Sequence, residues 1–233
     1  MKKDSIKADE ISIVVADESH LPYVQTILST IEAAAKVRGT GIAKRSPDYI
    51  EMKMKERKAI IAMTQDGEFA GFCYIETWSD KKFVANSGLI VVDKFRGHGL
   101  AKRIKKKAFQ ISRERFPDAK IFGLTTGLAV MKINSELGYR PVTFSELTDD
   151  EDFWKGCQSC VNYDILQRTN KRLCLCTGML YDPSWNKEKE QAEAKSHNLV
   201  VKPVKKQIKI ATKVVQSKKK SRKSTASNKI QIG

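Results

Sequence analysis

The sequence predicts an α/β fold, of the α+β kind in which helices pack on one mixed sheet, and three observations predict it. Short β-branched runs alternate with helical patterns in the order β-α-α-β-β-β-α-β-α over residues 10–142. An apolar strand ending Leu89-Ile90-Val91-Val92 passes through a glycine-spaced turn straight into a helix. That helix repeats Leu100, Ile104, Ala108 and Ile111 at spacings of four, four and three, which is one apolar face, and Pro117 stops it.

The elements follow in order. Ile11–Val15 reads as the first strand. Leu21, Val24, Ile27, Leu28 and Ile31 share one face of the helix after it, with Gly39 near its end. Ser46-Pro47 is an N-cap followed by proline at the first helical position, and opens a second helix through Glu56. Ala59–Thr64 and Phe69–Trp78 form a hairpin around Asp66-Gly67. Phe83–Val92 leads into the glycine turn, and the face of the next helix opposite its apolar stripe carries Lys102, Arg103, Lys105, Lys106 and Lys107. Ile121–Thr125 is a further strand, and Leu128–Leu137 a short helix ending at Gly138. Leu199-Val200-Val201 and Ile208-Lys209-Ile210 alternate enough for one or two short strands.

The 233 residues suffice for one good-sized core domain, read as 1–186 with a cysteine-rich extension over 143–186, and an appendage over 187–233. The net charge of +16 is uneven: the appendage holds 14 Lys/Arg and three Glu, which leaves the body only mildly basic. Lys218-Lys219-Lys220-Ser221-Arg222-Lys223 and the Ser/Thr/Ala that follow predict a disordered, basic low-complexity tail. A solubilising extension and nonspecific contact with RNA, ribosomes or acidic partners both fit it. No apolar run approaches membrane-spanning length, and Met1-Lys2-Lys3-Asp4 does not open a signal peptide. Five cysteines in that setting point to a reducing, cytoplasmic compartment.

Gly97 and Gly99 let the chain turn tightly where a helix begins, with backbone N–H groups facing inward and no side chain in the way. The turn therefore reads as a phosphate cradle. It lacks the third glycine of G-x-G-x-x-G and the G-K-[ST] of a P-loop. The run Lys94-Phe95-Arg96-Gly97-His98-Gly99 resembles motif A of the GNAT acyl-CoA N-acyltransferases, Q/R-x-x-G-x-G/A, with Lys94 in the Q/R place. The order of elements is also the GNAT order, and Ile133-Asn134-Ser135-Glu136-Leu137-Gly138-Tyr139 resembles the end of the last conserved helix of that family.

The resemblance implies acetyl-CoA or another short acyl-CoA as co-substrate, its pyrophosphate held by amides from Val92 to Ala101. The candidate residues are Val92, Lys94, Arg96, Gly97, His98, Gly99, Leu100 and Ala101. It also implies a splayed strand whose backbone N–H polarises the thioester, here Val91 with Leu89 as the alternative. Transfer to an amine further needs a base, for which Glu76 on the hairpin is the candidate; its other reading is a solvent-facing strand residue. Asn134 stands where many members carry a tyrosine that acts as acid for the departing thiolate, and an asparagine there still hydrogen-bonds the coenzyme.

The loop between the first two helices, a wall of the acceptor pocket in the family, holds Arg38, Lys44 and Arg45. Arg38 and Arg45 are candidates for binding carboxylates; an ordinary solvated basic loop is the alternative. This loop and the segments 156–164 and 174–180 resemble GNAT proteins of arginine biosynthesis, which implies the amino group of glutamate as acceptor. Cys157-x2-Cys160 and Cys174-x-Cys176 place four thiols within twenty residues, the number tetrahedral zinc requires; buried reduced cysteines on strands completing the sheet are the other reading. Two rivals to small-molecule transfer stand beside it: a protein or ribosomal acetyltransferase docked by the basic tail, and a noncatalytic acyl-CoA-binding module.

Overall fold

Four strands built from local signals form the first half of the sheet: β1 (Ile11–Val15), β2 (Ala59–Thr64), β3 (Phe69–Trp78) and β4 (Phe83–Val91), each antiparallel to the next. The computed structural model describes residues 11–38 and 44–185, without the Arg38 side chain. The strands expected near 199–201 and 208–210, and the basic tail from 187, lie outside the described residues.

The other half of the sheet is β5 (Lys120–Thr125), β6 (Arg140–Val142) and β7 (Thr177–Tyr181). The strand order is β1-β2-β3-β4-β5-β7-β6, with β4 and β5 parallel and β7 antiparallel to both its neighbours. The cysteine-rich extension is thus part of the sheet, because its strand β7 lies between β5 and β6. β6, three residues with Pro141 at its centre, does not follow from local pattern.

The helices are α1 (Val24–Arg38), α2 (Pro47–Lys55), α3 (Leu100–Arg115), α4 (Leu128–Glu136), α5 (Glu151–Lys155) and α6 (Tyr163–Arg168). Before α1 the chain makes a tighter turn over Glu18–Tyr23, where Pro22 has no N–H to give an α-helix. The Ser46 hydroxyl accepts the Tyr49 N–H at 3.3 Å and caps α2, with Pro47 in the first turn.

Strand alternation divides the core between two faces. Ile60, Ala62, Cys73, Ile75, Val84 and Val91 pack with Leu100, Ile104, Ala108 and Ile111 of α3. Ile61, Phe72, Tyr74 and Ile90 pack with Val24, Ile27 and Ile31 of α1 and Ile50 and Met54 of α2 on the other face. One expected feature of α3 is corrected: Lys105 is not on the solvated basic face but 2% exposed, beside Ile104 in the buried stripe.

Two irregularities of β4 make room for a site. Tyr74 pairs with Ser87 but Phe72 with Ile90, so β4 carries one extra residue opposite Cys73. Gly88 sits in that bulge at φ +68°, and a Cβ there would stand 2.6 Å from the Tyr74 ring. Pairing of β4 with β5 covers only Phe83–Ala85 against Lys120–Phe122. Beyond that point no β5 residue pairs with Asn86–Val91, and the two strands fork.

Candidate active site

A cavity of about 480 Å³ opens at this fork. Its walls include Ser87, Gly88, Leu89 and Ile90 of β4, Gly123, Leu124 and Thr125 of β5, and side chains from both faces of the sheet: Lys105 and Asn134 from α3 and α4, Arg45, Tyr49 and Glu76 from the α1–α2 side. A wider, shallow groove of about 720 Å³ runs along β1 past Ser12–Val15 and Lys107, away from these groups.

The α2 side carries a connected polar network. Glu76 comes from the end of β3 and accepts the Tyr49 hydroxyl and the Lys53 ammonium on one oxygen, Oε2. Lys53 is 1% exposed, and its Nζ also lies 4.7 Å from the centre of the Tyr49 ring. Among the described residues the second carboxylate oxygen of Glu76 has no partner, while the side chain lines the cavity. Burial, the Tyr74 phenol and the Glu76 carboxylate push the Tyr49 phenol far above its ordinary range, so it stays a donor.

Arg45 gives its Nε–H to the Tyr74 hydroxyl at 2.6 Å and an Nη1–H to the Lys44 carbonyl at 3.1 Å. Its guanidinium carbon lies 5.6 Å from the Tyr49 ring centre and 5.8 Å from that of Tyr74. The aromatic partners hold the guanidinium at the cavity wall without consuming all five of its donors. Trp78 and Phe153, edge to face at 5.6 Å, add an apolar wall. Tyr49, Lys53, Tyr74, Trp78 and Phe153 carry no sequence motif and join the site only through the fold.

At the other end, Gly97 and Gly99 adopt φ +88° and +72°, and Gly99 is the N-cap of α3. No side chain caps that helix start, and a Cβ on either glycine would meet nothing within 4 Å. Free first-turn amides facing open space are what an anionic phosphate needs. Leu100 and Ala101 supply two of them, and His98 is exposed in the turn. Val92 gives its N–H to the Ala70 carbonyl at 3.0 Å and so belongs to the sheet edge.

Other expected cofactor residues are engaged elsewhere. Lys94 pairs with Glu68 at 2.5 Å. Arg96 folds back on the Val91 carbonyl at 3.1 Å and pairs with Asp93 at 2.7 Å. Both side chains stay about half exposed beside the turn. Because the Val92 N–H points to β3, alternation turns the Val91 N–H the opposite way, toward the side β5 has left. Val91 itself is not among the cavity-lining residues, whereas Leu89 is. Asn134 lines the cavity, 1% exposed, with its Oδ1 buried and unpartnered. Arg38 ends α1, and its side chain lies outside the described residues.

The zinc expectation is not met. Among the described residues no group of three or more His, Cys, Asp or Glu stands in an arrangement able to hold a metal ion. Cys157 and Cys160 lie in and after a tight turn and Cys176 just precedes β7, with the thiols of Cys157, Cys160, Cys174 and Cys176 near enough to interact. Burial and the neighbouring thiols push Cys157 up to about 11 and Cys176 up to about 12. Cys157, Cys160 and Cys176 line the cavity.

Comparison with known proteins agrees with this arrangement. N-acetylglutamate synthase from Neisseria gonorrhoeae, solved with coenzyme A and N-acetyl-glutamate, is similar over 74% of this chain and 35% of its own, at 17% identity and TM-score 0.53. The chain thus spans about a third of that enzyme's length. Rv2747 from Mycobacterium tuberculosis, solved with CoA, is similar over 73% of this chain and 98% of its own, at 16% identity and TM-score 0.53. YncA from Salmonella typhimurium, solved with its cofactor acetyl-CoA, is similar over 74% and 94% at 13% identity and TM-score 0.50. At these identities the likeness is one of fold. No curated protein matches the sequence. Among the described residues no helix is long and apolar enough to cross a membrane. The model of the acetyltransferase (GNAT) family matches residues 38–130, a segment that holds the Arg45–Glu76 network, the forked strand and the glycine turn, and over that segment the chain carries a GNAT-family domain.

Proposed function

We propose that the chain transfers an acetyl or other short acyl group from acyl-CoA to a primary amine, with the amino group of glutamate as favoured acceptor. The carrying observation is the pairing, on one cavity wall, of a guanidinium with donors to spare and a carboxylate with one open oxygen: Arg45 and Glu76. An amino acid presents the complementary pair, a carboxylate and an ammonium. Arg45 would take a carboxylate, and Glu76, directly or through water, the proton that must leave the amine before attack.

The acyl donor fits the rest of the site. The glycine turn offers amides to phosphate. The unpaired edge of β4 from Asn86 to Val91 offers backbone groups to the amides of an extended arm, which satisfies groups that otherwise face a cavity. An N–H of that edge, with Val91 and Leu89 the candidates, would polarise the thioester carbonyl. The glutamate reading draws support from the fold shared with the Neisseria N-acetylglutamate synthase.

The test is acetyl-CoA-dependent thiol release across a panel of acidic, neutral and basic amines, with the product identified by mass spectrometry. Fastest turnover with glutamate and formation of its N-acetyl derivative is expected. Preference for a basic or neutral amine would refute glutamate and leave acyl transfer standing; no turnover with any amine would refute both.

A further inference from the structure

We propose that Lys105 is the proton donor to the departing coenzyme A sulfur, an assignment that rests on the acyl-transfer reading above. A lysine in a helix stripe that packs on a sheet ordinarily reaches for solvent or a carboxylate. Lys105 does neither. It is 2% exposed, and among the described residues it makes no hydrogen bond and no ion pair; its Nζ lies 5.2 Å from the Tyr139 ring centre.

Its position is the apex of the fork. Ala85 and Phe122 are the last paired residues of β4 and β5, and the next two are Asn86 and Gly123. A Cβ placed on Gly123 would stand 3.8 Å from Lys105 Nζ and 3.3 Å from the Asn86 carbonyl oxygen. The amine thus lies against the Gly123 backbone at ordinary contact distance and lines the cavity from the α3 side, while Glu76 and Arg45 line it from the α2 side.

The groups facing Lys105 leave it without a counter-ion. Cys73 of β3 and Tyr139, after α4, are the titratable ones; β4 presents Asn86, bonded to Ser112 at 2.9 Å and to the Tyr139 hydroxyl at 3.0 Å, and β5 presents Gly123. Burial pushes Cys73 up to about 11 and Tyr139 well above its ordinary value, so both are neutral where Lys105 titrates. Burial lowers Lys105 itself to about 8, only partly countered by Cys73.

Other cavity groups are poorer acids. Asn134 has no acidic proton. The Tyr49 hydroxyl is committed to Glu76, Tyr74 accepts from Arg45, and Cys157 and Cys176 titrate near 11 and 12. An ammonium that titrates near 8 matches a thiol leaving group of about 8.5 and is charged at neutral pH.

In the step, the neutral acceptor nitrogen forms the C–N bond at the thioester carbonyl. The C–S bond breaks with its electron pair going to sulfur, and Lys105 Nζ–H protonates that sulfur. The resulting amine of Lys105 recovers a proton from solvent. Of the two protons the acceptor ammonium loses, the balance places one on the thiol and one in bulk water.

The test compares wild type with Lys105→Met, and with Lys105→Leu should the first fail to fold. With the best amine of the panel, kcat is expected to fall by about 100-fold or more while the acceptor KM holds, and the loss of wild-type kcat above pH 8 should disappear in the variant. A second arm needs no turnover. Wild type should bind coenzyme A roughly tenfold more tightly than desulfo-coenzyme A through a charge-assisted contact to sulfur, and the variant should bind the two alike. Failure of all turnover would sink the transfer reading, yet the binding arm would still decide whether Lys105 meets the sulfur. A variant kcat within about threefold of wild type, well short of the loss of an acid, would overturn the proposal. So would equal binding of both coenzymes by wild type, or an acetyl group found on Lys105 after incubation with acetyl-CoA.

Discussion

Arg45 and Tyr74 meet through one hydrogen bond, Arg45 Nε–H to the Tyr74 hydroxyl at 2.6 Å, and through the guanidinium lying 5.8 Å from the same ring's centre. The ring sets the plane of the fork, and the hydroxyl sets its rotation. Tyr74→Phe keeps the ring and removes the bond. Losing a hydrogen bond to a charged group costs about 1.5 kcal/mol, so the KM for glutamate should rise roughly tenfold with the KM for acetyl-CoA unchanged. Steady-state kinetics with each substrate varied checks this; equal shifts in both constants would mean the bond does not orient Arg45.

Glu76 has two duties that a double substitution separates. Glu76→Gln cannot accept a proton, and kcat should drop by about 100-fold or more if Glu76 is the base. It also leaves the Lys53 ammonium, 1% exposed, without its counter-charge, which should cost about 3 kcal/mol in urea unfolding. Adding Lys53→Met should restore stability and leave activity low. Recovery of activity along with stability would make Glu76 structural.

Gly99→Val tests the phosphate turn. At φ +72° an L-residue costs about 1–2 kcal/mol, and its side chain would occupy the open space before the α3 amides. The variant should fold with a modestly lowered melting temperature and lose at least about tenfold in coenzyme A affinity by calorimetry, roughly one displaced charge-assisted contact. A folded variant with unchanged affinity would remove the turn from the binding site.

Lys105 makes stability depend on pH in a defined direction. The folded chain releases its proton at about 8, the unfolded chain near the ordinary 10.5. Between these values the unfolded state binds more protons, so the Lys105 contribution to stability rises with pH across that window and is constant below it. Lys105→Met should therefore exceed wild type in unfolding free energy by a fixed amount below pH 8. That advantage should shrink by an amount on the order of 3 kcal/mol as pH approaches 10.5. Cys73, held near 11, lowers stability at high pH in both proteins and largely cancels in the difference. Denaturant unfolding from pH 6 to 10 reads the trend, and a difference independent of pH would place the Lys105 proton outside the buried site.

Local signals carried the first half of the sheet. The strands at 11–15, 59–64 and 69–78 coincide with the short apolar runs and the Asp66-Gly67 turn, and the Ser46 cap and the positive φ of Gly97 and Gly99 are as residue type dictates. What was illegible is nonlocal. Lys105 adjoins Ile104 at the border of the apolar stripe, and only the fork opposite α3 decides that it turns inward. Tyr49 and Lys53 reach Glu76 from a different element, and β7 enters the sheet between β5 and β6 from a segment whose cysteine spacing spoke of zinc.

The most direct measurement is the KM for glutamate in wild type and Arg45→Ala at saturating acetyl-CoA, with the KM for acetyl-CoA measured alongside. Loss of a charge-assisted pair in a partly buried pocket is worth roughly 2–5 kcal/mol, so the glutamate KM should rise by at least about 30-fold while the acetyl-CoA KM stays within a factor of about two. Unchanged glutamate kinetics in the variant would contradict an acceptor held by Arg45.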